Sequence, residues 1–349
     1  MAGDWLLYGA NGYTGELIAA EAVARGLRPV LAGRRAEAIV PLAKRLGLPH
    51  RTFSLSSSRE IAAQLAGVTA ILLAAGPFSA TSAPVVEACL QSGVHYLDIT
   101  GEIAVFENCA KQNDRAIQAG TIILPGVGFD VVPSDCLAAS LAEKLPGATH
   151  VELAFAGGSM SRGTARTMLE GLGLGGAIRD HGRIRRVPIA WRTAQIAFRD
   201  KVRNAVSIPW GDVSTAFRST GIPNIIVFAA APRRQVMFMR SLRYVAPILR
   251  SEPVRRWLSH RIDNRISGPS QEMRAVARTH LWGKVHNSSG ESVEGTLETP
   301  EAYQLTAAAA VECMRRVLHD RITPGVHTPS TAFGASFITE LAGCDLRIG

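Results

Sequence analysis

A closely spaced glycine triplet near the start of the chain limits what this sequence can fold into. An apolar run at 5–8 is followed at once by Gly9, Gly12 and Gly15, and a helical segment opens at Glu16. Glycines at this spacing allow a tight turn and bring backbone N–H groups and a helix N-terminus up to a pyrophosphate. A strand before the turn and a helix after it favour a dinucleotide-binding turn over a plain structural turn.

Short apolar runs alternate with amphipathic segments over the first part of the chain. This alternation is typical of βαβ units that build a parallel sheet, and six strands complete a doubly wound dinucleotide fold. The predicted strands are 5–8, 29–32, 51–54, 70–74, 95–98 and 121–124. The predicted fold class is therefore α/β, a Rossmann-type doubly wound parallel sheet with a second, mixed α+β domain.

The pattern changes after Pro125, where glycines and prolines interrupt the chain and a strand is predicted at 151–156. Residues 274–285 and 291–298 predict an antiparallel hairpin, and a long helix is predicted from Pro300 to about His319. We predict a Rossmann domain over 1–130 and an α+β substrate or dimerisation domain over 131–324. The C-terminal residues 325–349 are expected to pack back on the first domain.

Two arginines follow the second predicted strand, at the place that selects between dinucleotides. Arg34 comes 19 residues after Gly15, where an NAD site usually carries an acid for the ribose 2′-hydroxyl. Arginine there accommodates the 2′-phosphate of NADP through paired, charge-assisted hydrogen bonds. The alternative is a solvated arginine pair, Arg34 and Arg35, that opens the next helix. The sequence favours NADP(H) over NAD(H).

The loops after the fourth, fifth and sixth strands emerge at one edge of the predicted sheet, where open α/β sheets bind ligands. The loop at 75–78 is expected to border the nicotinamide ribose, and a simple strand-to-helix turn is the alternative. Glu102, Asp130 and Thr164 are candidates for substrate contact or proton transfer, although Glu102 has a helix-capping alternative. No metal site is predicted. The predicted cofactor-binding residues are Gly9, Asn11, Gly12, Tyr13, Thr14, Gly15, Arg34, Arg35, Ala75, Gly76, Pro77, Phe78 and Gly101.

Positive charge is concentrated in one segment of the chain. The net charge is +9, and 17 basic but four acidic residues lie between Arg179 and Arg261. This segment lacks the interleaved aromatic set and the zinc-finger or RNA-binding motif that nucleic-acid-binding proteins carry, so nucleic acid is not an expected partner. Arginines and apolar residues mix from Arg233 to Arg261, which indicates either a packed helix pair with a solvated basic face or contact with an anionic membrane or acidic acyl-carrier domain. A homodimer is also expected.

The expected location is the cytoplasm, with peripheral membrane association as the alternative. The five cysteines are widely spaced and odd in number, which indicates neither a disulfide framework nor a zinc site. No signal-peptide pattern opens the chain, and its apolar runs are shorter than the ~20 residues of a membrane-spanning helix.

Six motifs in the first 135 residues resemble the saccharopine dehydrogenase-like, NADP-binding-domain oxidoreductases, which include trans-acting enoyl reductases of lipid and polyketide assembly. The motifs are YGANGYTG (8–15), AGRR (32–35), AGPF (75–78), PVVEAC (84–89), HYLDITGE (95–102) and GFDVVPSD (128–135). The resemblance implies a Rossmann domain, a smaller mixed α/β domain over the cofactor, and hydride transfer to or from a C=N or C=C bond. An amino-acid substrate pattern of a true saccharopine enzyme is not found.

These observations together predict an NADPH-dependent oxidoreductase. Its expected substrate is a small-molecule or carrier-bound acyl group with an enoyl C=C bond, lipid- or polyketide-like, or a compound with a C=N bond. The apolar and basic second domain fits the C=C substrate slightly better than a small imine. The alternative from another class is a non-catalytic NADP(H)-binding regulator that senses redox state.

Overall fold

A computed structural model describes residues 5–157, 165, 175–249, 254 and 268–349 in two compact units. The first unit contains Met1–Val132 and Tyr303–Ala332, and the second contains Pro133–Ala302 and Phe333–Gly349. The segment 303–332 therefore belongs to the first unit, whereas the sequence-based limits placed most of it in the second domain.

A seven-stranded, fully parallel sheet forms the centre of the first unit. Its strands are β1 Trp5–Tyr8, β2 Val30–Gly33, β3 His50–Thr52, β4 Ala70–Leu73, β5 His95–Asp98, β6 Ile122–Leu124 and β15 Gly325–Val326. They lie in the order β15-β6-β5-β4-β1-β2-β3. Apart from β15, which the sequence did not predict, this is the strand order of a doubly wound dinucleotide fold, so the predicted fold class is confirmed for this unit.

Helices connect these strands on both faces of the sheet. They are α1 Tyr13–Ala24, α2 Ala36–Leu46, α3 Ser58–Gln64, α4 Phe78–Ser92, α5 Ile103–Ala110 and α6 Asn113–Gln118. Every residue of β1 and of β4 is buried, as expected for parallel strands that are covered on both faces. The long helix α11, Ala302–His319, returns to this unit after the second one.

The second unit is built on a mixed sheet. Its strands are β7 His150–Ala156, β8 Gly176–Asp180, β9 Arg183–Val187, β10 Thr193–Ala197, β11 Val202–Ser207, β12 Asn224–Ala230, β13 Arg278–His286, β14 Ser292–Pro300 and β16 Asp345–Ile348. The main order is β10-β11-β12-β7-β13-β14-β16, with β8 paired to β12 and β9. In the described part of the chain, β7 and β12 pair in parallel and the other pairs of this sheet are antiparallel. The predicted mixed second domain and its hairpin are confirmed.

Two glycines facing each other across that hairpin make room for a helix. Gly283 on β13 pairs with Gly295 on β14. A Cβ at Gly283 would lie 2.7 Å from Leu141, and one at Gly295 would lie 3.2 Å from the same side chain. Leu141 belongs to α7, Val132–Lys144, which therefore packs directly on the backbone of the sheet.

Four of the remaining described helices have nine residues or fewer, and one has 17. They are α8 Asp212–Thr220, α9 Arg233–Leu249, α10 Gln271–Val276, α12 Pro329–Phe333 and α13 Phe337–Glu340. Among the helices described here, none combines the length and apolar content needed to cross a lipid bilayer.

Candidate functional site

The turn between β1 and α1 has a backbone that requires glycine at two positions. Gly9 has a φ of +84°, and its N–H donates to the carbonyl oxygen of Ala32 at 2.8 Å. A Cβ at Gly9 would lie 2.9 Å from atoms of Ala74 and Ala75. A Cβ at Gly15 would overlap the carbonyl oxygen of Gly9, so α1 approaches the turn more closely than any side chain allows.

Gly12 lies on the exposed side of the same turn. It is the N-cap residue of α1, and a Cβ there would lie 3.3 Å from the carbonyl oxygen of Gly9 with open space beyond. A glycine at the N-cap puts no side chain over the N–H groups of the first helical turn, where the positive end of the helix dipole lies. The turn therefore fits a pyrophosphate, as the glycine spacing predicts.

The three other predicted residues of this turn, Asn11, Tyr13 and Thr14, have different surroundings. Asn11 lies beside Gly33, where a Cβ would be 3.0 Å from the Asn11 side-chain oxygen. The ring of Tyr13 packs edge-on against that of Tyr303 in α11, with 5.0 Å between centroids. Thr14 is half-buried in the first turn of α1. Asn11 thus brings the end of β2 next to the glycine turn, and Tyr13 contacts α11.

The two arginines that follow β2 are exposed beside the glycine turn. Burial raises the pKa of Tyr8 to about 12, and the nearby positive charge of Arg34 partly opposes that shift. Arg35 lies 3.9 Å from the carboxylate of Glu37, and both side chains are largely exposed. An exposed ion pair at that distance contributes little. Both guanidinium groups are therefore accessible to a phosphate at this edge of the sheet.

The loop after β4 lies against the glycine turn through Ala75. The hydroxyl of Thr81 donates to the carbonyl oxygens of Ala75 at 2.8 Å and Pro77 at 3.2 Å, which fixes the shape of the loop. A Cβ at Gly76 would lie 3.5 Å from the Phe78 ring, an ordinary contact. Thr81 was not predicted as a site residue, because a hydroxyl one turn into a helix carries no distinctive sequence pattern.

Glu102 ties the loop after β5 to the loop after β4. Its two carboxylate oxygens accept the N–H groups of Phe78 and Ser79, each at 2.8 Å. Glu102 therefore caps the N-terminus of α4, whereas the capping alternative from the sequence assigned it to the following helix. Its carboxylate makes no side-chain cap to α5. This places Glu102 in a positioning role, and direct catalysis by it stays a prediction.

The buried carboxylate of Asp98 joins the loops after β5 and β6. It accepts the Tyr96 hydroxyl at 2.6 Å and the N–H groups of Thr100 and Gly126 at 2.9 Å each. Burial raises its pKa to about 6, and the three hydrogen bonds oppose that shift. Asp98 was not predicted as a site residue, and the sequence signal that points to it is an acid at the end of an apolar strand.

Asp130 places a second carboxylate at the same edge. A Cβ at Gly101 would lie 2.6 Å from Asp130 Oδ2, so the absence of a side chain at Gly101 leaves room for this carboxylate. The Asp130 side chain is partly exposed, yet the surrounding protein desolvates it and raises its pKa to about 7. The adjacent Phe129 N–H donates to the hydroxyl of Thr306 at 3.0 Å. Asp130 can therefore hold and release a proton near neutral pH.

The predicted site residues of the first unit thus form one continuous edge. Ala75 meets Gly9, Phe78 binds Glu102, and Asp130 lies against Gly101. Thr164 lies outside the described residues. Within the described ranges, no group of three or more His, Cys, Asp and Glu residues is arranged to hold a metal ion.

Residues 5–124 match a family model described as the saccharopine dehydrogenase NADP binding domain. The match includes β1 to β6, the glycine turn and both arginines. Residues 5–124 therefore form a saccharopine dehydrogenase-type NADP-binding domain. The resemblance noted in the sequence is confirmed, and NADP(H) is confirmed as the cofactor of this kind of domain.

Relatives extend the likeness beyond this domain. A trans-acting enoyl reductase of Mycobacterium tuberculosis is 32% identical over 140 residues, which cover 38% of this chain and 34% of that protein. A second protein of that organism, provisionally named a trans-acting enoyl reductase, is 32% identical over 184 residues, covering 48% of this chain and 43% of its own. The chain thus spans less than half the length of these relatives.

A solved structure shares the whole fold. Apo saccharopine dehydrogenase (L-Glu forming) from Saccharomyces cerevisiae aligns over 100% of both chains with a TM-score of 0.67 and 10% sequence identity. At this identity the alignment shows a common fold, which includes the second unit.

Replacing Gly15 by alanine is expected to weaken NADPH binding by at least about tenfold, because the new Cβ overlaps the Gly9 carbonyl oxygen and pushes α1 away from the turn. Isothermal titration calorimetry measures the change. Gly67→Ala is the control, because it strains a glycine with a φ of +76° elsewhere in the same unit but leaves open space around the new Cβ, so it should keep the parent NADPH affinity. Parent-like affinity in Gly15→Ala contradicts the assignment of the turn.

Neutralising both arginines is expected to remove the preference for NADPH. Each charge-assisted hydrogen bond contributes roughly 1.5–3 kcal/mol, so Arg34→Gln/Arg35→Gln lowers NADPH affinity by about 100-fold or more and leaves NADH affinity nearly unchanged. Arg115→Gln, which removes an exposed arginine paired with Glu87, is the control. Equal affinities for NADPH and NADH in the parent protein exclude the assignment.

Asp130 is expected to make the folded state more stable as the pH falls. Its pKa is about 7 in the folded protein against an ordinary value of 3.8, so the folded state binds the proton more tightly than the unfolded chain. The stabilisation grows as the pH falls below about 7 and is complete below the ordinary value. Thermal unfolding at pH 8 and pH 5 should show a parent-minus-variant difference for Asp130→Asn that grows at pH 5.

The matched control for this titration is Asp114→Asn, which removes an exposed carboxylate of the same unit. The Asp130→Asn difference is compared with the Asp114→Asn difference at the same two pH values. An Asp130→Asn difference that changes no more than that of Asp114→Asn shows that Asp130 has an ordinary pKa.

Proposed function

We propose that this chain is an NADPH-dependent reductase that adds a hydride and a proton across a C=C bond of an enoyl substrate. The observation that carries the proposal is the position of the Asp130 carboxylate, which lies against Gly101 at the same sheet edge as the glycine turn and whose pKa burial raises to about 7. A phosphate-binding turn alone serves many functions. A carboxyl group that can donate a proton near neutral pH at the same sheet edge supports reduction in particular.

The residues of the glycine turn and the β2 end account for binding. Gly9 and Gly15 hold α1 close to the sheet, so that the helix N-terminus at Gly12 faces the pyrophosphate. Arg34 and Arg35 pair with the 2′-phosphate. When bound, NADPH supplies the hydride. The loop at 75–78, fixed by Thr81 and Glu102, borders the reacting end.

Asp130 supplies the proton in this proposal. Hydride adds to one carbon of the double bond and leaves a negative charge on the other carbon. That second carbon is then protonated by Asp130. The carboxylate left behind regains a proton from solvent, which reaches it because the side chain is partly exposed. Asp98 and Glu102 act as positioning residues. Asp98 joins the loop that carries Asp130 to the loop after β5, and Glu102 joins the loop after β5 to the start of α4.

We propose an enoyl substrate and not an imine because of the names of the related proteins. Proteins that are 32% identical over 140 and 184 residues are named enoyl reductases, whereas the likeness to saccharopine dehydrogenase at 10% identity concerns the fold. We further propose that the acyl group is lipid- or polyketide-like and is presented as a thioester. A C=N substrate is the second outcome that the experiment distinguishes.

Transfer of deuterium from NADPH tests the proposal. The full chain is incubated with NADPH deuterated at either face of C4 and with a set of enoyl thioesters or of imines, and the products are analysed by mass spectrometry. The expected result is one deuterium in an enoyl-derived product from one C4 face alone. Asp130→Asn should lower the turnover number by about 10²–10⁴-fold and leave NADPH affinity unchanged.

Labelled amine in place of labelled acyl product would assign the C=N reaction. NADPH binding without label in either substrate class would indicate a non-catalytic NADP(H)-binding regulator instead. An Asp130→Asn variant with parent turnover would remove Asp130 from the chemistry.

A further inference from the structure

The first turns of α9 carry apolar side chains on two opposite sides. Val236 is buried, and Met239 packs with it in a small core that includes Ala190. Met237 and Phe238 are instead 72% and 64% exposed. At about 100° of rotation per residue, these two point away from the side that Val236 and Met239 occupy. The helix therefore presents two large apolar side chains that its own core does not use.

Positive charge surrounds these exposed side chains. Arg233 and Arg234 are both exposed at the start of α9, and Arg234 precedes Met237 and Phe238 by three and four residues, which places them on one helix face. The sequence of α9 contains no acidic residue. We call Arg233, Arg234, Met237 and Phe238 the α9 patch.

A third exposed apolar side chain lies close to the α9 helix. Trp191 is 43% exposed and follows Ala190, whose carbonyl oxygen accepts a hydrogen bond from Arg240 Nε at 3.4 Å. Aromatic and long apolar side chains next to arginines are the combination found where a protein lies in the interface of a bilayer.

We infer that the α9 patch binds an anionic lipid surface. Met237 and Phe238 enter the boundary between headgroups and acyl chains, and the guanidinium groups of Arg233 and Arg234 pair with lipid phosphates. Lipid accounts for both halves of the patch, whereas an acidic acyl-carrier domain that docks by charge accounts for the arginines alone. The inference stands apart from the proposed reaction, because the patch shares no residue with the cofactor site.

Vesicle binding by the full chain tests the inference. Flotation is measured with vesicles of phosphatidylcholine and with vesicles of equal parts phosphatidylcholine and phosphatidylglycerol. Binding is expected to the mixed vesicles at low salt, and it should weaken as the salt concentration rises. Arg233→Gln/Arg234→Gln should weaken it by about fivefold for each arginine, and Met237→Ser/Phe238→Ser by at least about tenfold.

Another exposed apolar pair provides the matched control. Met273 and Val276 on α10 are 54% and 79% exposed, so Met273→Ser/Val276→Ser removes comparable surface elsewhere in the same unit. This control should bind mixed vesicles like the parent. All variants should keep the parent unfolding temperature and NADPH affinity, since none of the changed side chains is buried.

Three results would overturn the inference. One is no binding to the mixed vesicles at low salt. Another is binding that survives both double variants of the patch. The third is a patch that binds a purified acyl-carrier protein, or a second copy of this chain in sedimentation, while the same substitutions leave vesicle binding unchanged.

Discussion

Helix α1 comes so close to the end of β1 that the carbonyl oxygen of Gly9 occupies the space of any side chain at Gly15. That approach fixes where the helix N-terminus lies and therefore where a phosphate meets N–H groups. The neighbouring loops are positioned by contacts with the same turn. Gly9 hydrogen-bonds to Ala32 at the end of β2 and meets Ala75 after β4. The cofactor cradle, the arginines and the loop at 75–78 consequently share one edge of the sheet.

Three carboxylates at this edge differ in what surrounds them. Asp98 is buried and accepts three hydrogen bonds, Glu102 accepts two from the start of α4, and Asp130 lies against Gly101. Desolvation raises the pKa of Asp98 and of Asp130, and hydrogen bonds counter the rise at Asp98. Asp98 ends β5 and Glu102 lies in the loop that follows it, and both accept hydrogen bonds that join loops. Asp130 lies in the loop after β6 and is the acid that we propose exchanges a proton.

Much of this arrangement could be predicted from local sequence. The glycine triplet, the alternation of strands and helices, the hairpin of β13 and β14 and the helix α11 each depend on residues close together in the chain. The features that were not predicted depend on contacts between residues far apart in the sequence. Strand β15 has two residues and exists through its pairing with β6. Glu102 caps α4 because two loops meet, and the role of Asp98 depends on Gly126, 28 residues away.

In the second unit, too, local sequence predicts only part of the structure. Its hairpin was predictable, but the parallel pairing of β7 with β12 and the addition of β16 at the far end join segments well separated in sequence. Gly283 leaves room for α7, and Gly295 leaves room both for α7 and for the backbone of β16 at Arg347. A single glycine within a strand pattern does not tell which helix will approach it.

A crystal structure of the protein grown with NADPH tests the central claim most directly. The claim predicts the pyrophosphate at the N-terminus of α1 over Gly12, the 2′-phosphate in contact with Arg34 and Arg35, and the nicotinamide ring at the loop 75–78 with Asp130 on the same side. A cofactor bound away from this edge, or a 2′-phosphate pointing into solvent without contact to either arginine, would contradict it.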